Sequence, residues 1–241
     1  MKTSSKENMY NSKKVNKEQL DDLYEFTIKH FVEHYDLQTE LVDHLANDIE
    51  SNWKKNPNLP YEDARDKAFK KFGVFGFMNA IEQRQKAMQK RYLKFLGAEL
   101  KKWFTLPKAI KTTAFFIILY IAFTSSLFQY FVFAFYGIIS VWSFIRSIQL
   151  NRQFKKRKEV TNKKWMLEEI IFKQAGGSMI LIMSQIPSFY NFSDHFFTNI
   201  YFVLGFSAFS TLFFLWLYIS FQILPQKAQE LLKETYPEFC V

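Results

Sequence analysis

Apolar residues follow two different patterns along this chain. In the first hundred residues they recur at helical spacing among charges. A first helix is predicted over 17–35, with Asn16 as its N-cap and with Leu20, Leu23, Tyr24, Thr27, Ile28, Phe31 and Tyr35 on its apolar face. A second, over 37–54, carries Leu37, Leu41, Leu45, Ile49 and Trp53 at every fourth position, a clear amphipathic stripe. The turn Asn56-Pro57-Asn58 breaks it. A third helix is predicted from Pro60, a residue suited to a first helical turn, with Ala64, Ala68, Phe69 and Phe72 on its face and Gly73 as its stop. A fourth starts near Gly76 and carries Phe77, Ala80, Ile81, Met88 and Tyr92.

The stretch 84–111 keeps the helical spacing with Met88, Tyr92, Phe95, Leu96, Leu100, Trp103 and Phe104, while Arg91, Lys94, Lys101 and Lys102 fill other positions. A basic amphipathic segment of this kind suits a helix on the inner leaflet of a membrane, or a plain connector.

Beyond it the pattern changes. No charge interrupts Thr112 to Ile145. One straight helix of that length would measure about 50 Å against a hydrocarbon core of about 30 Å. The polar cluster Thr124, Ser125, Ser126 and Gln129 at its middle predicts a tight hairpin, hence spans over 108–124 and 127–145. A third span is predicted over 170–187, where Gly176, Gly177 and Ser178 would let another helix approach closely, and a fourth over 196–224, ended by Pro225. The expected fold class is all-α: a small cytoplasmic helical bundle followed by a four-helix transmembrane region. The expected divisions are a flexible N-terminus (1–15), the helical domain (16–86), the basic connector (87–111), the transmembrane domain (112–225) and a cytoplasmic tail (226–241).

Charge then sets an orientation. Spans two and three are separated by Arg146, Arg152, Lys155, Lys156, Arg157, Lys158, Lys163 and Lys164, whereas 188–197 holds no Lys or Arg. The positive-inside rule places the first segment in the cytoplasm and, with four spans, both termini as well. The expected location is the bacterial inner membrane, multi-pass. The net charge of +9 is gathered beside the apolar blocks, so its expected partners are membrane lipids rather than nucleic acid. Lys101, Lys102, Arg152, Lys155, Lys156, Arg157 and Lys158 are the candidate headgroup contacts. Aromatic residues make up 19% of the chain, including 29 Phe, a loading that lipid-facing helices tolerate and a soluble surface does not. The polar, lysine-rich segment before Lys17 does not read as a cleaved signal peptide.

Chemistry is sparse. Cys240 has no metal or redox neighbours. His30 and His34 lie one helical turn apart, as do His44 and Asp48, but neither pair has a third ligand in reach of the pattern. Asp194-His195 lacks a nucleophile, and Asn191-Phe192-Ser193 is a sequon of a kind common by chance. No Gly-rich phosphate loop exists. No cofactor, no metal and no enzymatic activity are expected. Lys108, Lys111 and Lys173 lie near span ends, and the other polar side chains within the spans are mostly neutral Ser, Thr and Gln with no Asp, Glu, His or Arg mid-membrane, which argues for helix-to-helix contacts over a coupled transport path.

The run Glu40-Leu41-Val42-Asp43-His44-Leu45, followed by Tyr61-Glu62-Asp63-Ala64, Ala68 and Phe72-Gly73, resembles the HAAS domain, also called the permease prefix domain. The likeness covers about Leu20 to Ile81. Pro60 stands where that family usually has Ser or Thr, and Asn56-Pro57-Asn58 replaces a turn that commonly holds Gly. The resemblance implies a cytosolic regulatory or adaptor module ahead of membrane spans and supplies no catalytic residues. Glu40, Asp43, His44 and Trp53 are the candidate partner-binding residues. Three functions are then open: a regulatory or sensor-like membrane protein with a cytosolic protein partner, an accessory subunit of a permease, or, least favoured, a lipid-acting membrane enzyme.

Overall fold

The structure, a computed structural model, describes residues 13–161, 163–173 and 199–236. It is helical throughout, with no strand among the described residues. The chain divides into two compact units. One comprises the described residues up to Ala87 together with Lys163–Met166; the other comprises Met88 onward without that short segment.

In the first unit, α1 (Lys17–Lys29) opens with a reciprocal capping box: Asn16 accepts from the Gln19 amide at 2.8 Å, and the Gln19 side chain accepts from the Asn16 amide at 3.0 Å. The helix is shorter than its apolar spacing suggests. It stops at Lys29 because Phe31 takes a left-handed conformation (φ +66°). The Phe31 amide then donates to the Ile28 carbonyl and the Val32 amide to the Thr27 carbonyl, a Schellman closure built without glycine. Phe31 is therefore exposed and off the apolar face, and of the predicted face only Leu23 and Thr27 are buried on the helix.

Helix α2 (Tyr35–Lys55) carries the stripe read from the sequence, and Leu37, Leu41, Leu45, Ile49 and Trp53 are all buried. It packs between α1 and α3 (Tyr61–Lys70). Leu23, Val42, Ala64 and Ala68 are buried along with it. Tyr61 Oη donates to Asp22 at 2.8 Å, and Arg65 pairs with the same carboxylate at 3.1 Å, which ties α3 to α1. Burial first, and then the Asp22 carboxylate, push the Tyr61 hydroxyl well above its ordinary pKa, so it remains a donor. Phe26, Phe69, Phe72 and Phe77 form an aromatic cluster that also takes in the His30 ring, 4.5 Å from that of Phe69.

Helix α4 (Met78–Lys102) is one continuous rod across the stretch where a separate basic connector is expected. In the second unit it is followed by α5 (Lys108–Thr124), α6 (Phe128–Thr161) and α7 (Ile200–Tyr218). A π-turn, Ile219–Ile223, and the short helix Leu224–Gln226 follow α7, and α8 (Ala228–Thr235) comes last. The hairpin break falls where the polar cluster sits. Thr124 and Ser125 hydroxyls fold back on the Tyr120 and Ala122 carbonyls at 2.7 Å each, satisfying acceptors at the end of α5. Leu119, Phe123, Val132, Tyr136 and Val203 form the core shared by α5, α6 and α7, and Tyr136 and Ser210 join hydroxyls at 2.9 Å.

Among the described residues two helices, not four, are long and apolar enough to cross a membrane: Phe128–Thr161 and Ile200–Gln226. Helix α5 has 17 residues, about 26 Å of rise. The expected third span falls mostly on 174–187, outside the described residues. The helix that carries the expected second span is longer than that span: α6 runs 34 residues, about 51 Å, and holds Arg146 to Lys158 on helix rather than loop. One other expectation is corrected. Pro225 does not end the last apolar helix. Proline gives no N–H to the carbonyl four residues back, that of Phe221, and Arg146 Nη2 donates to this carbonyl at 3.1 Å instead.

Leu45→Ala should destabilise the first unit by about 2–5 kcal/mol, whereas Phe31→Gly, which relieves the left-handed strain and removes little packing, should stabilise it by up to about 1 kcal/mol. Hydrogen exchange of α2 amides reads both effects.

Candidate functional site

The most constrained chemistry in the first unit gathers at the start of α2. His34 precedes that helix and offers no side-chain cap, so the Tyr35 amide needs another acceptor. It donates to the Lys164 carbonyl at 2.8 Å, a residue far along the chain. Segment 163–166 thus lies across the α2 N-terminus as a strap. Lys164 Nζ reaches Glu33, Lys163 Nζ sits 4.0 Å from the centroid of the Tyr35 ring, and Trp165 meets that ring edge-on at 5.3 Å. Trp165 and Met166 are buried.

Asp36 anchors the arrangement. Its side chain is only 1% exposed. One carboxylate oxygen accepts from Arg84 Nε at 3.2 Å, and the other accepts from the Met166 amide at 3.3 Å. Arg84 Nη1 lies 3.3 Å from Glu40, one turn beyond Asp36 on α2. A buried carboxylate needs a cation and hydrogen-bond donors in place of water, and its place in the first turn of α2 adds the favourable end of the helix dipole. The donor from the strap is therefore a structural requirement of this charge.

The predicted partner residues divide. Glu40, Asp43 and His44 are exposed and, with Asn47, mark one face of α2 at positions i, i+3, i+4 and i+7. Trp53 is in the core, donating from Nε1 to the Leu59 carbonyl at 3.0 Å, and offers no surface. Asp48 pairs with Lys71 at 2.6 Å. Among the described residues no group of three or more His, Cys, Asp or Glu could hold a metal ion.

Of the predicted headgroup contacts, Lys101, Arg152, Lys155, Lys156 and Lys158 are exposed. Arg157 instead turns to Glu168, whose side chain is 4% exposed, and stacks over Phe172. Lys102 is exposed but engaged: it and Lys227 both bind Glu99, at 2.8 and 2.7 Å. Burial acts to raise the Glu99 pKa, but the hydrogen bonds from Lys102 and Lys227 outweigh it and hold the carboxyl below the usual range.

Sequence reasoning missed Asp36, Arg84 and Trp165. The available signals were a helix start with no capping side chain and a tryptophan embedded in a basic run. No family model matches the chain, and neither the curated proteins nor the solved structures yield a match.

Asp36→Ala should cost about 1–3 kcal/mol, because it leaves the buried Met166 amide without its acceptor and takes from Arg84 the more buried of its two carboxylates, and should speed amide exchange at Tyr35 and Met166. The Glu99 contact has a defined pH sense. A folded pKa below the unfolded one makes its stabilisation complete above the unfolded value, about 4.3, and lost as pH falls through the folded one. Acid titration should loosen α8 in the native protein, and Glu99→Gln should remove that part of the pH dependence, as read by hydrogen exchange.

Proposed function

We propose that the chain is a regulatory or sensor-like protein of the bacterial inner membrane, whose N-terminal helical unit binds a cytosolic protein partner. The observation that carries this reading is the strap. Residues 163–166 follow the membrane-length helix α6 in the chain and serve as the cap of α2 in the N-terminal unit. Covalent continuity links any displacement of α6 to that cap. The same helix α2 displays the Glu40–Asp43–His44–Asn47 face to a partner.

Membrane embedding is supported by what the apolar helices leave uncovered. Only 28% and 33% of the apolar windows of Phe128–Thr161 and Ile200–Gln226 are buried, whereas a soluble core helix is mostly buried. Ile118 and Ile121 on α5, Ile138 and Val141 on α6, and Leu204 and Phe209 on α7 are all exposed. Such faces require an apolar surrounding, and lipid provides one. Helix α6 then continues past its apolar part to Arg152, Lys155, Lys156 and Lys158, a basic arm suited to anionic headgroups on the cytoplasmic side. Four spans with both termini in the cytoplasm complete the proposed topology.

Mild crosslinking and purification from native membranes tests the reading, with the full chain run beside an Asp43→Ala, His44→Ala, Asn47→Ala variant. A cytosolic regulatory protein should be recovered with the unaltered chain and lost by about tenfold or more with the variant, as expected when an interface centre is removed. Transporter subunits recovered equally with both would replace this reading with that of a permease accessory subunit.

A further inference from the structure

Between α3 and α4 the chain makes a tight turn whose side chains sort by direction. Phe72 and Phe77 flank it and pack on each other, rings 4.9 Å apart, and Phe77 is almost fully buried in the aromatic cluster. The two residues at the tip do the opposite: Val74 is 98% exposed and Phe75 71% exposed, with Met78 also exposed just beyond. Two glycines hold this shape. Gly73 (φ +78°) and Gly76 (φ +51°) both occupy the left-handed region, and a Cβ on Gly76 would lie 2.9 Å from the Phe69 ring. Backbone bonds from Gly73 to Lys70, from Gly76 to Gly73 and from Met78 to Phe75 close the turn. The result is a small convex knuckle with an apolar tip on a buried aromatic base.

Both signs of charge are carried by α3, where Asp63 and Asp66 are exposed and Asp66 pairs with Arg65. Lys67, Lys70 and Lys71 lead into the turn and are exposed. Lys71 pairs with Asp48, whereas Lys67 and Lys70 have no ion pair among the described residues. On the far side Glu82 is neutralised by Lys86 at 2.6 Å. We infer that the Val74–Phe75 knuckle is an interfacial contact that inserts into an anionic bilayer surface, with Lys67 and Lys70 on the headgroups. A protruding apolar tip rimmed by unpaired cations complements a headgroup layer, which accepts apolar side chains below and lysines above. This surface is separate from the α2 face proposed for a protein partner.

The test uses the full chain in a Cys240→Ser background, reconstituted into vesicles of phosphatidylcholine with phosphatidylglycerol, with brominated lipid as quencher. An environment-sensitive fluorophore is placed at Val74→Cys in one sample and at Ile138→Cys in another. Quenching at both positions supports the knuckle contact together with the membrane reading it accompanies. Quenching at 138 alone overturns the knuckle contact while the embedding stands. Quenching at 74 alone supports the contact and removes the embedding. Quenching at neither overturns both. The position 74 signal should weaken at high salt and in phosphatidylcholine alone. Replacing Lys67 and Lys70 with Gln should lower the inserted-to-free ratio about twenty-five-fold, roughly fivefold for each lysine. A blue-shifted, unquenched and salt-insensitive fluorophore at 74 would mean that protein, such as a second copy of the chain, covers the knuckle, and would overturn the proposal.

Discussion

A carboxylate withdrawn from water is tolerated only where the protein replaces its hydration, and Asp36 imposes that condition on the N-terminal unit. Meeting it takes Arg84 from α4 and a backbone N–H from a segment almost 130 residues downstream. The same segment gives its Lys164 carbonyl to the Tyr35 amide, so one short stretch of chain satisfies both the buried charge and the open end of α2. The unit is closed by polar contacts at one end of a helix whose length is held by the Leu37-to-Trp53 stripe. Removing the stripe would dissolve the bundle. Removing the strap would leave Asp36 with one hydrogen-bond donor fewer.

Much of the architecture was legible because it depends on local signals. Asn16 as a cap, the four-residue repeat of α2, the Asn56-Pro57-Asn58 turn and the polar break near Ser125 each act within a few residues, and each is found. Phe31 was misplaced because its left-handed φ, unusual for an aromatic residue, ends α1 where periodicity continues. The length of α6 was not legible for the opposite reason. The uninterrupted apolar run stops at Arg146, but Arg and Lys are good helix formers, so the helix does not stop with it.

The candidate site was less legible. Glu33, Asp36, Arg84, Lys163 and Lys164 are ordinary surface types by composition, and only their meeting makes them distinctive. Lys163 and Lys164 look like part of a charged run in the sequence, yet in the fold they answer Tyr35 and Glu33. Trp53 errs the other way: named as a partner-binding candidate, it instead follows the apolar stripe into the core, where its indole closes on Leu59 and leaves nothing to bind. Arg157 likewise belongs to a basic series by sequence and to Glu168 by structure.

The strap also makes the N-terminal unit discontinuous in the chain. A ribosome delivers residues in order, and domains generally fold as they emerge. Here α1 to α3 are synthesised long before Lys163–Met166, with α5 and α6 in between. Until that segment arrives, Tyr35 lacks its carbonyl and Asp36 one of its donors. Maturation of the N-terminal unit is therefore timed by synthesis of the apolar helices, and its completed form reports that those helices have already been made.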